Sequence, residues 1–178
     1  MIVISPYDPA WPERFSLEAL LLRETLSEWA VRIDHVGSTS VPGLDAKPVI
    51  DIQISVTSLE PVDRLRGALA LAGYTYVQDP DLDFDRIYPF FRKPAHWPSS
   101  HHVHACRAGS EEERRHLAFR DYLRDHSEIA ADYVALKRRL AALHVGTTPE
   151  SRESYAMAKS AFVAAVTKRA YELGYPRL

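Results

Sequence analysis

The sequence predicts an α+β protein, a strand-rich middle followed by a helical C-terminal part, and three observations predict it. Residues 30–36 and 48–56 alternate apolar with polar side chains, the period of a strand with one buried face. A turn of small residues, Gly37-Ser38-Thr39-Ser40, joins them. From Ser110 onward the pattern turns helical, beginning with the capping signal Ser110-Glu111-Glu112-Glu113. At 178 residues, 46% of them hydrophobic, the chain is long enough for one well-buried core and short for two, so a single domain over 1–178 is expected.

Each element has its own signal. Pro6, Pro9 and Pro12 punctuate the entry, and Pro12 suits the first turn of a helix running to about Trp29, with Phe15, Leu20, Leu22 and Leu26 at roughly helical spacing. A second helix is expected from about Leu59 to Ala72, stopped by Gly73. Tyr74–Val77 reads as a short strand. Arg86–Arg92 and His101–Arg107 read as two antiparallel strands joined by the Pro- and Ser-bearing loop 93–100, with Pro89 marking the first as an edge strand. In the C-terminal part Ser127 is a candidate cap for a second helix, and Thr148-Pro149 opens a third that carries Tyr155 and Lys159.

Charge and composition narrow the function classes. The formal net charge is −2 and no Lys/Arg block is long, which argues against a duplex nucleic-acid partner and for a small molecule. The single cysteine, Cys106, excludes an internal disulfide and reads as a small buried residue. No apolar run approaches the length of a membrane span, and the N-terminal residues lack a signal-peptide pattern, so a cytoplasmic protein with no membrane partner is expected.

The candidate site is built on the second strand. Ile50, Ile52, Ile54 and Val56 share one face, leaving Asp51, Gln53 and Ser55 on the other. An aspartate amid isoleucines runs against strand propensity, which marks Asp51 as a candidate catalytic or metal-binding residue. Ahead of it, Gly37, Ser38, Thr39 and Ser40 offer backbone N–H and hydroxyl donors for a phosphate, with Lys47 nearby; the same residues also suit an ordinary tight turn. His102 and His104 share a face of the later strand. If that strand neighbours the second, Asp51, His102 and His104 converge as ligands for a divalent ion such as Mg, Mn or Zn. No organic cofactor is expected. On the helices, His116, Arg120 and Arg124 repeat at four-residue spacing, as do Tyr155 and Lys159. Arg120, Tyr155 and Lys159 are therefore candidate anion contacts, although such charges also serve as solvated helix faces.

Taken together, the run His35–Leu44, the segment Ala46–Ile52, Pro6–Trp11, His102-Val103-His104, Arg115–Leu123, and Tyr133, Leu136, Lys137 with Tyr155–Lys159 resemble the GrpB family over nearly the whole chain. The resemblance implies a polymerase-β-like nucleotidyltransferase fold: a mixed sheet flanked by helices with a helical C-terminal part. It also implies a Gly-Ser turn that opens a helix and holds nucleotide phosphates, with Asp51 as the first of the metal carboxylates. Family members fused to dephospho-CoA kinase make that enzyme a candidate partner, with a folding-assistance role. In this chain Gln53 occupies the second carboxylate position, and the later strand carries His102 and His104 in place of a third carboxylate. Three readings follow. One is a nucleotidyltransferase-like enzyme that uses Ser38, Asp51 and a metal. Another is a catalytically inactive nucleotide- or CoA-related binding or folding-assistance module. The last is a metal-dependent hydrolase-like site of Asp51, His102 and His104.

Overall fold

A computed structural model of the chain describes residues 2–77, 88–143 and 148–177. Five strands form one mixed sheet: β1 (Ala30–Val36), β2 (Ile50–Val56), β3 (Thr75–Tyr76), β4 (Phe90–Lys93) and β5 (His101–Arg107), in the order β1-β2-β5-β4-β3. β2 and β5 are parallel and every other pair is antiparallel.

One face of this sheet is the main core. Ile50, Ile52, Ile54 and Val56 pack with Val103 and Ala105 against α1 (Trp11–Leu26) and α2 (Val62–Leu71), through Trp11, Leu22, Leu26, Leu65 and Leu69. Full burial of one such aliphatic side chain contributes about 1.5–3 kcal/mol. The buried stripe of α1 is Trp11, Glu18, Leu22 and Leu26, with Phe15 half-buried, whereas Leu20 is 64% exposed. Leu20 lies two residues from Leu22, about 200° around the helix, so its expected core role falls instead to Glu18. The Glu18 carboxylate accepts a 2.9 Å hydrogen bond from Lys93 Nζ.

The other face carries the helical part: α3 (Glu111–Asp125), α4 (Ser127–Leu143), α5 (Pro149–Met157) and α6 (Ser160–Glu172). Their shared core joins Ala118, Tyr122 and Leu123 to Tyr133, Val166 and Ala170. Ser110 caps α3 by accepting from Glu113 N–H at 3.3 Å, and the Glu113 carboxylate reaches back to Gly109 N–H. This is one position earlier than the usual reciprocal bond of a capping box. Thr148 caps α5 by accepting from Ser151 N–H at 3.3 Å.

Two expectations about these elements change. The chain breaks at Ala158-Lys159, so Tyr155 belongs to α5 while Lys159 is the N-cap residue of α6, and the two do not share a helix. β4 is interior, because the two-residue β3 covers its outer side. Pro89 sits just outside β4, where its missing N–H costs no ladder bond, and its carbonyl still accepts from Ala105 N–H at 2.9 Å. Arg86 and Ile87 of the expected strand lie outside the described residues. No helix among the described residues is long and apolar enough to cross a membrane.

Candidate functional site

The parallel pairing of β2 with β5 sets Asp51 beside His102 and Gln53 beside His104. Both histidines turn toward one carboxylate oxygen: His102 Nδ1 lies 3.2 Å and His104 Nε2 3.7 Å from Asp51 Oδ1. Burial pushes the Asp51 carboxyl toward its neutral form, but the bonds from His102 and His104 outweigh it and hold the group far below the usual carboxylate range. Phe90 packs its ring against both imidazoles, with centroids 5.1 and 5.0 Å away.

The small-residue turn presses directly on this aspartate. Gly37 has φ 68° and ψ −171°, and a Cβ there would stand 2.4 Å from Asp51 Oδ2. Only glycine meets both the backbone and the space requirement. Residues 38–40 then form a single 3₁₀ turn. The resemblance implied that this turn opens a helix, but it leads instead into extended backbone at Val41.

The turn's hydroxyls divide by role. Ser38 lines the cavity described below together with Tyr133. Thr39 and Ser40, expected to contact phosphate, are buried and bonded inside the protein. Thr39 Oγ1 donates to Val49 O at 3.1 Å and pairs with His35 Nε2 at 3.0 Å. Ser40 Oγ donates to Gly37 O at 2.6 Å, and its carbonyl accepts from Arg124 Nη2 at 2.8 Å. Replacing Thr39 by valine is therefore expected to cost about 1–2 kcal/mol of stability in denaturant unfolding, and to leave ligand affinity unchanged.

Arg120 departs from its expected role in the same way. Its guanidinium donates to Asp121 Oδ1 at 2.7 Å and to His35 O at 3.2 Å, which makes it a strut between α3 and β1 outside the cavity. Gln53 is also committed. It is fully buried, with Oε1 2.7 Å from His116 Nδ1 and Nε2 donating to Glu113 O at 3.4 Å. Burial, then the neighbouring His104 and Arg115, lower His116 to about 3. A neutral ring that accepts from Arg115 at Nε2 must carry its proton on Nδ1, so His116 donates to Gln53.

The far wall of the site comes from the helices. Lys47, Tyr133, Lys137, Tyr155 and Lys159 close a cavity of about 320 Å³ over Gly37, Ser38 and Asp51. Lys159 Nζ lies 4.5 Å and Lys47 Nζ 5.2 Å from the centre of the Tyr155 ring. Lys137 Nζ donates to Asp45 O. Burial, then the repulsion of Lys159, lowers Lys137 to about 7, and burial with Lys47 lowers Lys159 to about 8.

The structure thus brings Gly37, Ser38, Lys47, Asp51, His102, His104, Tyr155 and Lys159 to one cavity and leaves Thr39, Ser40 and Arg120 outside it. Sequence reasoning did not single out Tyr133 and Lys137 as site residues. Their signal was available: Tyr133-x₃-Lys137 repeats the spacing of Tyr155-x₃-Lys159. Cys106 is buried, 3.7 Å from Ser55 Oγ, and burial raises its thiol to about 11.

Asp51, His102 and His104 do meet, with His102 hydrogen-bonded to Asp51 Oδ1 and His104 3.7 Å from the same oxygen. Among the described residues no group of three or more His, Cys, Asp or Glu side chains is placed to hold a metal ion. With one Asp51 oxygen shared by two histidines and the Gln53 oxygen taken by His116, this donor arrangement does not fit the expected metal.

The family model described as GrpB protein matches residues 1–169. The UPF0157 protein YqkA of Bacillus subtilis is 36% identical over 157 residues, 88% of this chain and 43% of the relative, so the chain spans less than half of that protein. A dephospho-CoA kinase of Mycobacterium leprae is 32% identical over 175 residues, again 43% of its length. The crystal structure of the conserved protein GrpB from Enterococcus faecalis superposes with a TM-score of 0.81 at 36% identity, covering 96% of this chain and 98% of that one. A cytoplasmic RNA terminal U-transferase shares the fold at a TM-score of 0.51 and 14% identity, over 82% of this chain and 44% of its own.

Proposed function

Because the chain belongs to the GrpB family, whose fold it shares with nucleotidyltransferases, we propose that its lysine-lined cavity binds the phosphate groups of a nucleotide or related phosphorylated small molecule. The observation that carries this reading is the convergence of Lys47, Lys137 and Lys159 on the Gly37-Ser38 turn in one cavity of about 320 Å³. Against these three ammonium groups the cavity lining sets one carboxylate, Asp51. An entering phosphate can accept from the lysines and the Ser38 hydroxyl. Tyr155 adds a buried hydroxyl that has no hydrogen-bond partner among the described residues.

Binding is better supported than nucleotidyl transfer. Two-metal phosphoryl transfer uses anionic oxygens to hold both ions, and this face of β2 offers Asp51 followed by a buried, hydrogen-bonded Gln53. The reading is therefore a binding module. A relative named dephospho-CoA kinase matches this chain over 43% of its own length, which makes that enzyme a proposed partner. A metal-dependent hydrolase at Asp51, His102 and His104 has less behind it, since among the described residues no group of three or more such side chains is placed to hold a metal ion.

Titration calorimetry with ATP, UTP and inorganic pyrophosphate in the presence of EDTA tests the proposal. Binding should persist without metal and weaken at least tenfold in Lys159→Ala. Incubation of ATP with Mg²⁺ should release no pyrophosphate. If none of the three ligands binds, or Lys159→Ala binds all of them as well as the wild type, the cavity is not a phosphate site.

A further inference from the structure

The phosphate cavity opens onto a second, larger space of about 770 Å³ between α3 and α6. His104, Tyr133, Ala156 and Lys159 line both. Away from these shared residues the wall joins Val163, Ala164, Thr167 and Tyr171 of α6 to the charged side chains of Glu111, Arg115, Lys168 and Glu172. A compartment rich in cations thus adjoins one that combines apolar surface with charges of both signs.

Hydroxyls in both compartments lack partners. The buried oxygens of Tyr155 in the inner cavity and of Thr167 and Tyr171 along the groove make no hydrogen bond among the described residues, and Thr167 is only 6% exposed. An unsatisfied buried hydroxyl costs about 1–3 kcal/mol, and native proteins keep few of them. In a helix a threonine can satisfy itself on the carbonyl one turn back, and Thr167 does not. Three orphaned hydroxyls strung from a cationic cavity along the groove beside it match one extended ligand with an anionic head and a neutral body bearing hydrogen-bonding groups.

We infer that the groove between α3 and α6 holds the uncharged body of the ligand whose phosphates occupy the lysine cavity, with Thr167 and Tyr171 bonding that body. The inference rests on the phosphate reading above and adds the class of ligand: an organic phosphate ester rather than a free inorganic anion. A nucleoside phosphate has the required form, since a planar ring with polar edges can lie against apolar walls while its edges meet buried hydroxyls.

The test compares ADP with inorganic pyrophosphate by calorimetry on the wild type, Ala164→Trp and Thr167→Val. ADP should bind the wild type at least tenfold more tightly than pyrophosphate does. Ala164 lies on the exposed wall of α6, and the indole of Ala164→Trp fills the groove, so ADP binding should fall at least tenfold while pyrophosphate binding stays the same. Thr167→Val keeps the side-chain shape and removes the orphaned hydroxyl. It should unfold at the same or a higher denaturant midpoint than the wild type, yet bind ADP several-fold more weakly. Pyrophosphate binding with no ADP advantage, or both variants binding ADP like the wild type, overturns the groove assignment. Failure of pyrophosphate itself to bind overturns the phosphate reading instead.

Discussion

Replacing Gly37 by alanine is expected to lower stability by about 3 kcal/mol and to remove ligand binding altogether. Two costs combine. The backbone at φ 68° and ψ −171° lies in a region that side chains with a Cβ rarely enter, and the added methyl would stand 2.4 Å from Asp51 Oδ2 and 2.8 Å from Asp51 Cβ. The turn must therefore retreat from β2. Retreat carries Ser38 away from the cavity and away from Tyr133, and it loosens Ser40, whose hydroxyl bonds Gly37 O and whose carbonyl anchors Arg124. In a protein of this size such a loss corresponds to a melting temperature lower by roughly 6–12 °C. Gly43 supplies the control. It also has positive φ, 78°, but a Cβ there meets nothing within 4 Å. Gly43→Ala should cost about 1 kcal/mol of backbone strain and leave pyrophosphate binding intact. Equal losses in the two variants would show that strain alone matters, and that the contact between turn and aspartate does not build the site.

That contact also marks how far the sequence is legible. The alternation of Ile50, Ile52, Ile54 and Val56 with Asp51, Gln53 and Ser55 assigns both faces of β2 correctly, because strand periodicity is local and strong. The convergence of Asp51 with His102 and His104 needed one further premise, that β2 and β5 are neighbours in the right register. Pairing across fifty residues leaves no local trace. The hydroxyls of Thr39 and Ser40 were misleading for a related reason. A small-residue turn supplies the same donors whether they face a ligand or fold back on Val49 O and Gly37 O, and only the tertiary path decides. Arg120 shows the same ambiguity on a helix, since its four-residue spacing from His116 and Arg124 fixes a stripe without saying what the stripe meets. Asp34, His35 O and Asp121 surround it. Tyr133 and Lys137 were legible in principle. Two Tyr-x₃-Lys pairs in one chain are unusual enough to compare, and they reach the same cavity from α4 and from the α5–α6 junction.

Ligand affinity is expected to fall steeply between pH 7 and 9 while the ligand-free protein gains stability over the same range. The cause is the pair of lysines held at about 7 for Lys137 and about 8 for Lys159, both below the ordinary 10.5. Around them lie Lys47, which lowers both, and Asp51, which raises both, with Asp45 also raising Lys137. For folding, the sign follows from proton counts. Between the depressed values and 10.5 the unfolded chain binds protons that the folded chain does not, so stability from these groups rises with pH and levels off above 10.5. For binding, the sign reverses. An anionic ligand favours both ammonium forms, so at pH 8.5 its entry must draw protons from solvent, and affinity drops as those protons become scarce. Each lysine recharged on binding contributes up to roughly tenfold per pH unit above its free value, giving a loss of up to about a thousandfold from pH 7 to 9. ADP is the suitable probe because its terminal phosphate gives up its last proton near pH 6, assuming it titrates like the phosphoryl groups of proteins at about that value, and so adds no compensating change above pH 7.5. Calorimetry in two buffers of different ionisation enthalpy measures the proton uptake directly, and denaturant unfolding across the same range measures the opposing stability slope. An ADP affinity that stays flat from pH 7 to 9, or protons released rather than taken up, would mean that Lys137 and Lys159 do not meet the ligand's charge.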